Sequence, residues 1–276
     1  MTARLRVSII VIGDEILGGF VQDTNSGWLA GRLQTLGVPL DRIVTVPDEF
    51  SAIDEALVTE LARERPRVVL TSGGIGSTPD DLTLEAVARH LGIPLVTQPT
   101  IDERISRALA WTTTQGATVT PEHEQSMRKM SRVPQSAYLL PGAEGVVPGI
   151  AVDVDGGSDG DAGATVVVLP GIPRELRRIM ASGVAPRLLA GRGEPQHVEE
   201  VTHPYPESTL NPVLDEIVGR YPEVHLGSYP GRECVIRLKG PKERVTEAMG
   251  VVTAALDRLA ADPSSDVLRQ SWQRRW

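Results

Sequence analysis

The sequence predicts an α/β domain with a mostly parallel sheet and helices on both faces, followed by a smaller α+β domain. Two patterns carry that expectation. Short apolar runs of strand length alternate with stretches of helical apolar period through the first half of the chain. After Gly191-Arg192-Gly193-Glu194-Pro195 the order becomes strand, helix, strand, strand, helix. The expected divisions are 1–185, 186–263 and a tail over 264–276.

Taken in order, residues 7–12 form a first strand that ends at Gly13-Asp14. Asn25–Leu36 is a helix with Trp28, Leu29, Leu33 and Leu36 on one face, and Asp23 and Asn25 before it suit caps or Asx turns. Residues 43–46 continue a second strand, and 51–65 form a helix with Ser51 and Asp54 in a capping-box-like start. Val68-Val69-Leu70 reads as a buried parallel strand, followed by a glycine turn and a helix over 82–91. The pattern is helical from 99 to 130, and Tyr138–Leu140 and 166–169 are further strands. The Asp- and Gly-rich segment 153–163 lacks the ordered acids and terminal Glu of a calcium loop, so a hairpin tip is expected there. Residues 174–180 form a helix after Pro170-Gly171-Ile172-Pro173. In the second part, strands are expected at 198–202, 224–228 and 234–239, and helices at 207–218 and 243–259. The tail shows no clear period and is expected to fray or serve in contacts.

Composition narrows the function classes. A chain of 276 residues with 41% hydrophobic and 23% charged content supports one large or two modest cores. A net charge of -8 argues against a broad nucleic-acid or membrane footprint. Cys234 is the only cysteine, which excludes an intrachain disulfide, and its place in an apolar strand suits the core. The five histidines show no zinc spacing and are expected to be solvated or satisfied locally. No signal-peptide pattern and no apolar run of spanning length occur, so a cytoplasmic protein is expected.

Four acidic or glycine-rich turns fall where strands should end: Gly13-Asp14-Glu15, Pro47-Asp48-Glu49, the loop Gly73 to Asp81, and Pro170-Gly171-Ile172-Pro173. In an open α/β sheet such turns converge on one crevice at the carboxyl ends of the strands. A glycine turn opening a helix offers unpaired N–H groups and a positive dipole end, which suits phosphate. Carboxylates gathered beside it repel one another unless a cation or a positive ligand group offsets them. A magnesium-type ion with oxygen ligands is the natural solution. Each acid also has a plainer role. Thr78, Pro79 and Asp81 fit an N-cap, a first-turn proline and an N3 acid; Asp80 fits a first-turn acid; Asp48 fits an exposed loop. The loop is neither a Walker A loop nor a dinucleotide fingerprint, and Ser72 and Ser77 have no His partner.

Five ordered motifs together resemble the competence/damage-inducible CinA family. They are Gly13-Asp14-Glu15-Ile16-Leu17, Asp23-Thr24-Asn25-Ser26, Val46-Pro47-Asp48-Glu49, the run Gly73 to Thr83, and Leu169-Pro170-Gly171-Ile172-Pro173. The first domain is similar to the molybdopterin-binding domain of the molybdenum-cofactor proteins MoaB and MogA. The second, with Gly227-Ser228-Tyr229-Pro230, resembles the family's KH-like domain. The resemblance implies a three-layer α/β fold and one of two reactions. The first is metal-dependent hydrolysis of ADP-ribose-like pyrophosphates, the second adenylylation of molybdopterin. A non-catalytic pterin- or nucleotide-binding module is a third possibility. The resemblance also implies Asp48 and Asp81 as catalytic acids, with Asp48, Asp80 and Asp81 as ligands of magnesium, manganese or cobalt. Gly13, Asp14, Glu15, Asn25, Ser72, Gly73, Gly74, Gly76, Thr78, Pro170 and Gly171 would hold phosphate or nucleotide. Ser72 and Ser77 stand where relatives often carry threonine and proline. Expected partners are a small nucleotide or pterin, molybdopterin among them, and further copies of the chain, as a dimer before a trimer. The family's amidohydrolase domain has no counterpart in these residues, so nicotinamide mononucleotide should not be hydrolysed.

Overall fold

The computed structural model describes residues 4–157 and 163–274. It divides into two compact units, Met1–Glu194 and Pro195–Trp276. The division falls at Glu194 rather than at 185 because Val184, Leu188 and Leu189 pack in the first unit's core.

In the first unit, strands β1 (Arg6–Ile12), β2 (Leu40–Val46) and β3 (Arg67–Ser72) alternate along the chain with helices α1 (Asp14–Leu17), α2 (Asn25–Leu36) and α3 (Phe50–Leu61). Next come α4 (Thr83–His90), β4 (Leu95–Thr97), α5 (Pro99–Thr114), α6 (Pro121–Lys129), β5 (Arg132–Pro134), β6 (Tyr138–Leu140), β7 (Gly149–Val154), β8 (Ala164–Leu169) and α7 (Pro173–Ile179). The six-stranded sheet has the order β2-β1-β3-β8-β7-β6. Its first four strands are parallel, and β7 and β6 join antiparallel. β3 and β8 are buried at every residue because helices cover both faces, so their sequences show no alternation. β1 divides its side chains between two cores, Ile10 and Ile12 on one face, Val7, Ile9 and Val11 on the other.

Several expectations need correction. The second helix runs Phe50–Leu61, and Ser51 and Asp54 do not cap it: Glu49 is its N-cap without a side-chain bond, and Asp54 pairs with His90 at 2.8 Å. The helix after the glycine loop runs Thr83–His90, close to the expected 82–91, but Thr78 is not its N-cap: Leu82 is, and Thr78 to Asp81 closes a separate turn, Asp81 N–H to Thr78 O at 3.2 Å. The strands β4, β5 and β7 had no clear sequence signal; β4 and β5 pair only with each other. Past α7 the chain continues as a π-type helix, Met180–Leu189, with Pro186 inside it. Residues 158–162 of the expected hairpin tip lie outside the described residues; Asp153 before them accepts a hydrogen bond from Thr165 Oγ1 at 2.8 Å.

The second unit contains β9 (His197–His203), α8 (Asn211–Arg220), β10 (His225–Tyr229), β11 (Cys234–Gly240) and α9 (Lys242–Ala261), the expected order. Its antiparallel sheet reads β10-β11-β9, and Ile236, Leu238, Val245 and Val252 form its core. Cys234 is buried, as expected. His203 is buried too, against expectation, and burial holds its imidazole below the ordinary range. Of the expected tail, α10 (Ser265–Gln273) is a helix and makes a contact, the second of the two expected outcomes: Trp272 Nε1 donates to Gly231 O at 3.0 Å. No helix among the described residues is long and apolar enough to cross a membrane.

Candidate functional site

The four turns meet because the strands before them end level. Ile12 is in register with Val46, Val11 with Ser72, and Ser72 with Leu169. The backbone then stitches the turns together: Gly13 N–H donates to Val46 O at 3.1 Å and Gly73 N–H to Leu169 O at 3.2 Å. Sheet order reverses around β1, so this is the switch point where open α/β sheets take ligands.

Gly73 and Gly74 have φ of +105° and +66°. A Cβ on Gly73 would lie 2.2 Å from Ile12 O, so only glycine lets the loop cross the end of β1. Thr83, fully buried, fixes the loop from below through Oγ1 to Gly73 O at 2.9 Å and its N–H to Gly74 O at 3.0 Å. The sequence marked Thr83 only as part of a motif.

A cavity of about 480 Å³ opens on this loop. Gly13, Glu15, Asp48, Gly73, Gly74, Gly76, Asp80, Asp81, Pro170 and Gly171 line it, as the sequence anticipated. Ile75 and Ile172, from within two of the motifs, line it as well, as do Met130, Val146, Val147 and Glu175, to which no motif pointed. The remaining anticipated residues sit behind or beside it. Asn25 Nδ2 donates to Ser72 Oγ at 3.0 Å and to Gly171 O at 2.7 Å, so Asn25 and Ser72 act as scaffolding between loops. They border a smaller cavity of about 130 Å³. Asp23 is an Asx-type cap, accepting from Asn25 N at 2.9 Å and Ser26 N at 3.0 Å. Asp14 contributes its backbone N–H, and Thr78 belongs to the turn.

The acids differ in state. Asp48 Oδ2 accepts the Asp14 N–H at 2.9 Å. Burial nevertheless raises its carboxyl above the ordinary range; that hydrogen bond opposes the rise, and the carboxylates of Glu15, Asp14 and Asp80 add to it. Asp81 Oδ2 accepts from Thr78 N at 2.8 Å and from Thr78 Oγ1 at 2.5 Å, leaving Oδ1 over the loop. Asp80 is exposed, and the Thr78 hydroxyl first, then its own N–H and Lys129, holds its carboxyl low. Among the described residues no three His, Cys, Asp or Glu side chains are grouped to hold a metal ion. Asp48, Asp80 and Asp81 are thus no ready-made cage, but their hard oxygens fit a cation that completes its shell with phosphate.

A glycine turn, two positioned carboxylates and an open cavity form a unit that can hold a phosphorylated ligand and move a proton beside it. The family described as probable molybdopterin binding domain matches residues 8–190 of this chain. A protein of Pyrobaculum arsenaticum is 38% identical over 225 residues, covering 80% of this chain and 78% of that one. A CinA-like protein of Anaeromyxobacter dehalogenans is 33% identical over 262 residues, or 89% of this chain and 60% of that protein's length. The solved structure of the protein CinA from Thermoplasma acidophilum, described as of unknown function, superimposes with a TM-score of 0.52 at 28% identity. That superposition covers 66% of this chain and 96% of that one. The chain therefore belongs to the CinA family, on a molybdopterin-binding α/β domain.

Proposed function

We propose that the crevice hydrolyses a phosphoanhydride, and that its substrate is ADP-ribose or a similar dinucleotide pyrophosphate. The observation that carries this is Asp48, a carboxyl raised above its ordinary range inside a cavity walled by the glycine loop. A carboxylate of raised pKa is the better base near neutral pH. Loop N–H groups would hold the phosphates, and Thr83 keeps the loop from yielding when they bind. In the chemical step a water oxygen bonds to one phosphorus, the bond from that phosphorus to the bridging oxygen breaks, and the second phosphate departs with that oxygen. The water's proton passes to Asp48. AMP and ribose phosphate are the products from ADP-ribose. A divalent cation held among Asp48, Asp80 and Asp81 would neutralise charge on the phosphoryl oxygens.

The family match favours a second reading, in which the ligand is molybdopterin and the chain binds or adenylylates it. We further propose that the chain is a homo-oligomer, a dimer before a trimer, which light scattering of the purified protein would decide. Incubating the protein with ADP-ribose, FAD, or ATP plus molybdopterin, with and without magnesium, manganese or cobalt, tests the two reactions. AMP release that stops with chelator is the expected result. Adenylylated pterin in its place moves the assignment to the second reading. Tight pterin binding without turnover makes the chain a binding module.

A further inference from the structure

The glycine loop is bordered by two cavities of opposite charge. Glu15, Asp48, Asp80 and Glu175 line the one already described. Arg128, Lys129 and Arg132 line the other, which also measures about 480 Å³. Gly74, Ile75, Gly76, Asp81 and Met130 border both, so the loop is the shared wall. Topology explains how distant cations arrive there. β5 packs on α4, the helix that leaves the loop, and α6 ends at Lys129 just before β5.

The cations differ in what already holds them. Arg128 is paired with Asp102 at 2.6 Å and Glu124 at 2.7 Å. Lys129 and Arg132, among the described residues, bond only backbone carbonyls: Lys129 Nζ that of Thr78, Arg132 Nη2 that of Leu95 at 3.3 Å. The acids of this cavity are engaged elsewhere, Glu85 with Arg89 at 2.6 Å and Asp81 with Thr78. Two cations whose hydrogen bonds go only to neutral carbonyls, Lys129 with the Asp80 carboxylate also nearby, therefore face a cavity that also carries apolar walls from Ile75, Leu84 and Leu95. A phosphate oxygen is a stronger partner for an ammonium than a peptide carbonyl.

We propose that this second cavity is the subsite for the distal phosphoryl group of the substrate, with Lys129 and Arg132 as its anion-holding residues. A pyrophosphate ester then lies across Gly74 to Gly76, the attacked phosphorus on the Asp48 side and the second, departing phosphate on Lys129. The assignment rests on the crevice being a phosphoanhydride site. It makes diphosphate esters better ligands than monophosphates, because only the former reach from loop to Lys129.

Inorganic pyrophosphate, titrated calorimetrically into the full chain, is the probe. Lys129→Met keeps the methylene stem and removes the charge. It should weaken pyrophosphate binding roughly tenfold or more, with an unchanged melting temperature. Lys129→Arg should restore most of the affinity, and Arg132→Met should weaken binding in the same sense. Asp48→Asn should bind pyrophosphate as well as the wild type or better, since a repelling carboxylate is gone. Wild-type-like binding by Lys129→Met overturns the subsite, as does a wild type that binds no pyrophosphate. If Lys129→Arg binds as poorly as Lys129→Met and both melt early, Lys129 only props Thr78 and the proposal falls. Lys129-dependent binding with no turnover of any pyrophosphate by the wild type rejects the catalytic reading and keeps the subsite. Normal turnover with Lys129-independent binding does the reverse.

Discussion

On the proposed reaction Asp48 would have a catalytic and an energetic effect that one substitution separates. Its folded-state pKa is raised, so between the unfolded and folded values the native state binds more protons, and stability falls as pH rises through the folded pKa. Asp48→Asn keeps an acceptor for the Asp14 N–H and removes that penalty. It should melt at or above the wild-type temperature at pH 7 while turnover drops roughly a hundredfold or more. Asp81 separates differently, because its Oδ2 closes the Thr78 turn. Asp81→Asn retains one acceptor, so it should cost ~1 kcal/mol or less in stability. A hundredfold loss of turnover with unchanged urea midpoint would assign it to chemistry, and near-normal turnover would leave it a turn residue only.

At the scale of elements, the opposite end of the sheet carries a buried ionic network that contains none of the site residues. Arg67, at the start of β3, donates to Asp41 at 2.6 Å and to Ser8 Oγ at 2.7 Å. Arg6 binds the same carboxylate through Nε at 2.8 Å, and Ser8 Oγ donates to buried Glu60 at 2.6 Å. β1, β2, β3 and α3 are thereby clamped together. Burial pushes the Asp41 carboxyl up, but the hydrogen bonds from Arg6 and Arg67 outweigh it and hold it below the ordinary range. The stabilisation is therefore complete above an unfolded pKa of about 4 and is lost as pH falls through the folded value. Asp41→Asn leaves a buried guanidinium short of its partner and should cost about 3 kcal/mol or more at pH 7. Urea midpoints measured from pH 7 to pH 2 should converge for variant and wild type; parallel curves would refute the linkage. The same clamp was invisible in the sequence, where Asp41, Ser8, Glu60 and Arg67 are far apart and match no motif.

For the whole molecule, the cores of the two units share no residue, and every lining residue of the site lies in the first. A fragment ending at Glu194 should melt cooperatively and bind AMP within about twofold of the full chain. A fragment that is unfolded by circular dichroism, or folded but unable to bind, would tie the site to the second unit. Determined by the sequence itself were the parallel α/β class, most strands and helices, and the four loops that meet at the crevice. Apolar periodicity and glycine placement act over a few residues, so they survive in a linear reading. Tertiary structure alone decided which side chains line the crevice. Asn25 and Ser72, which the resemblance implies as phosphate binders, bond each other, and Asn25 also bonds Gly171 O across loops. Ser51 and Asp54 look like a cap, yet His90 draws Asp54 away. Lys129 and Glu175 carry no local signal, because what brings them to the walls of the two cavities is the packing of β5 on α4 and the register of β8 beside β3. Long-range pairing fixes those positions, and no spacing along the chain encodes it.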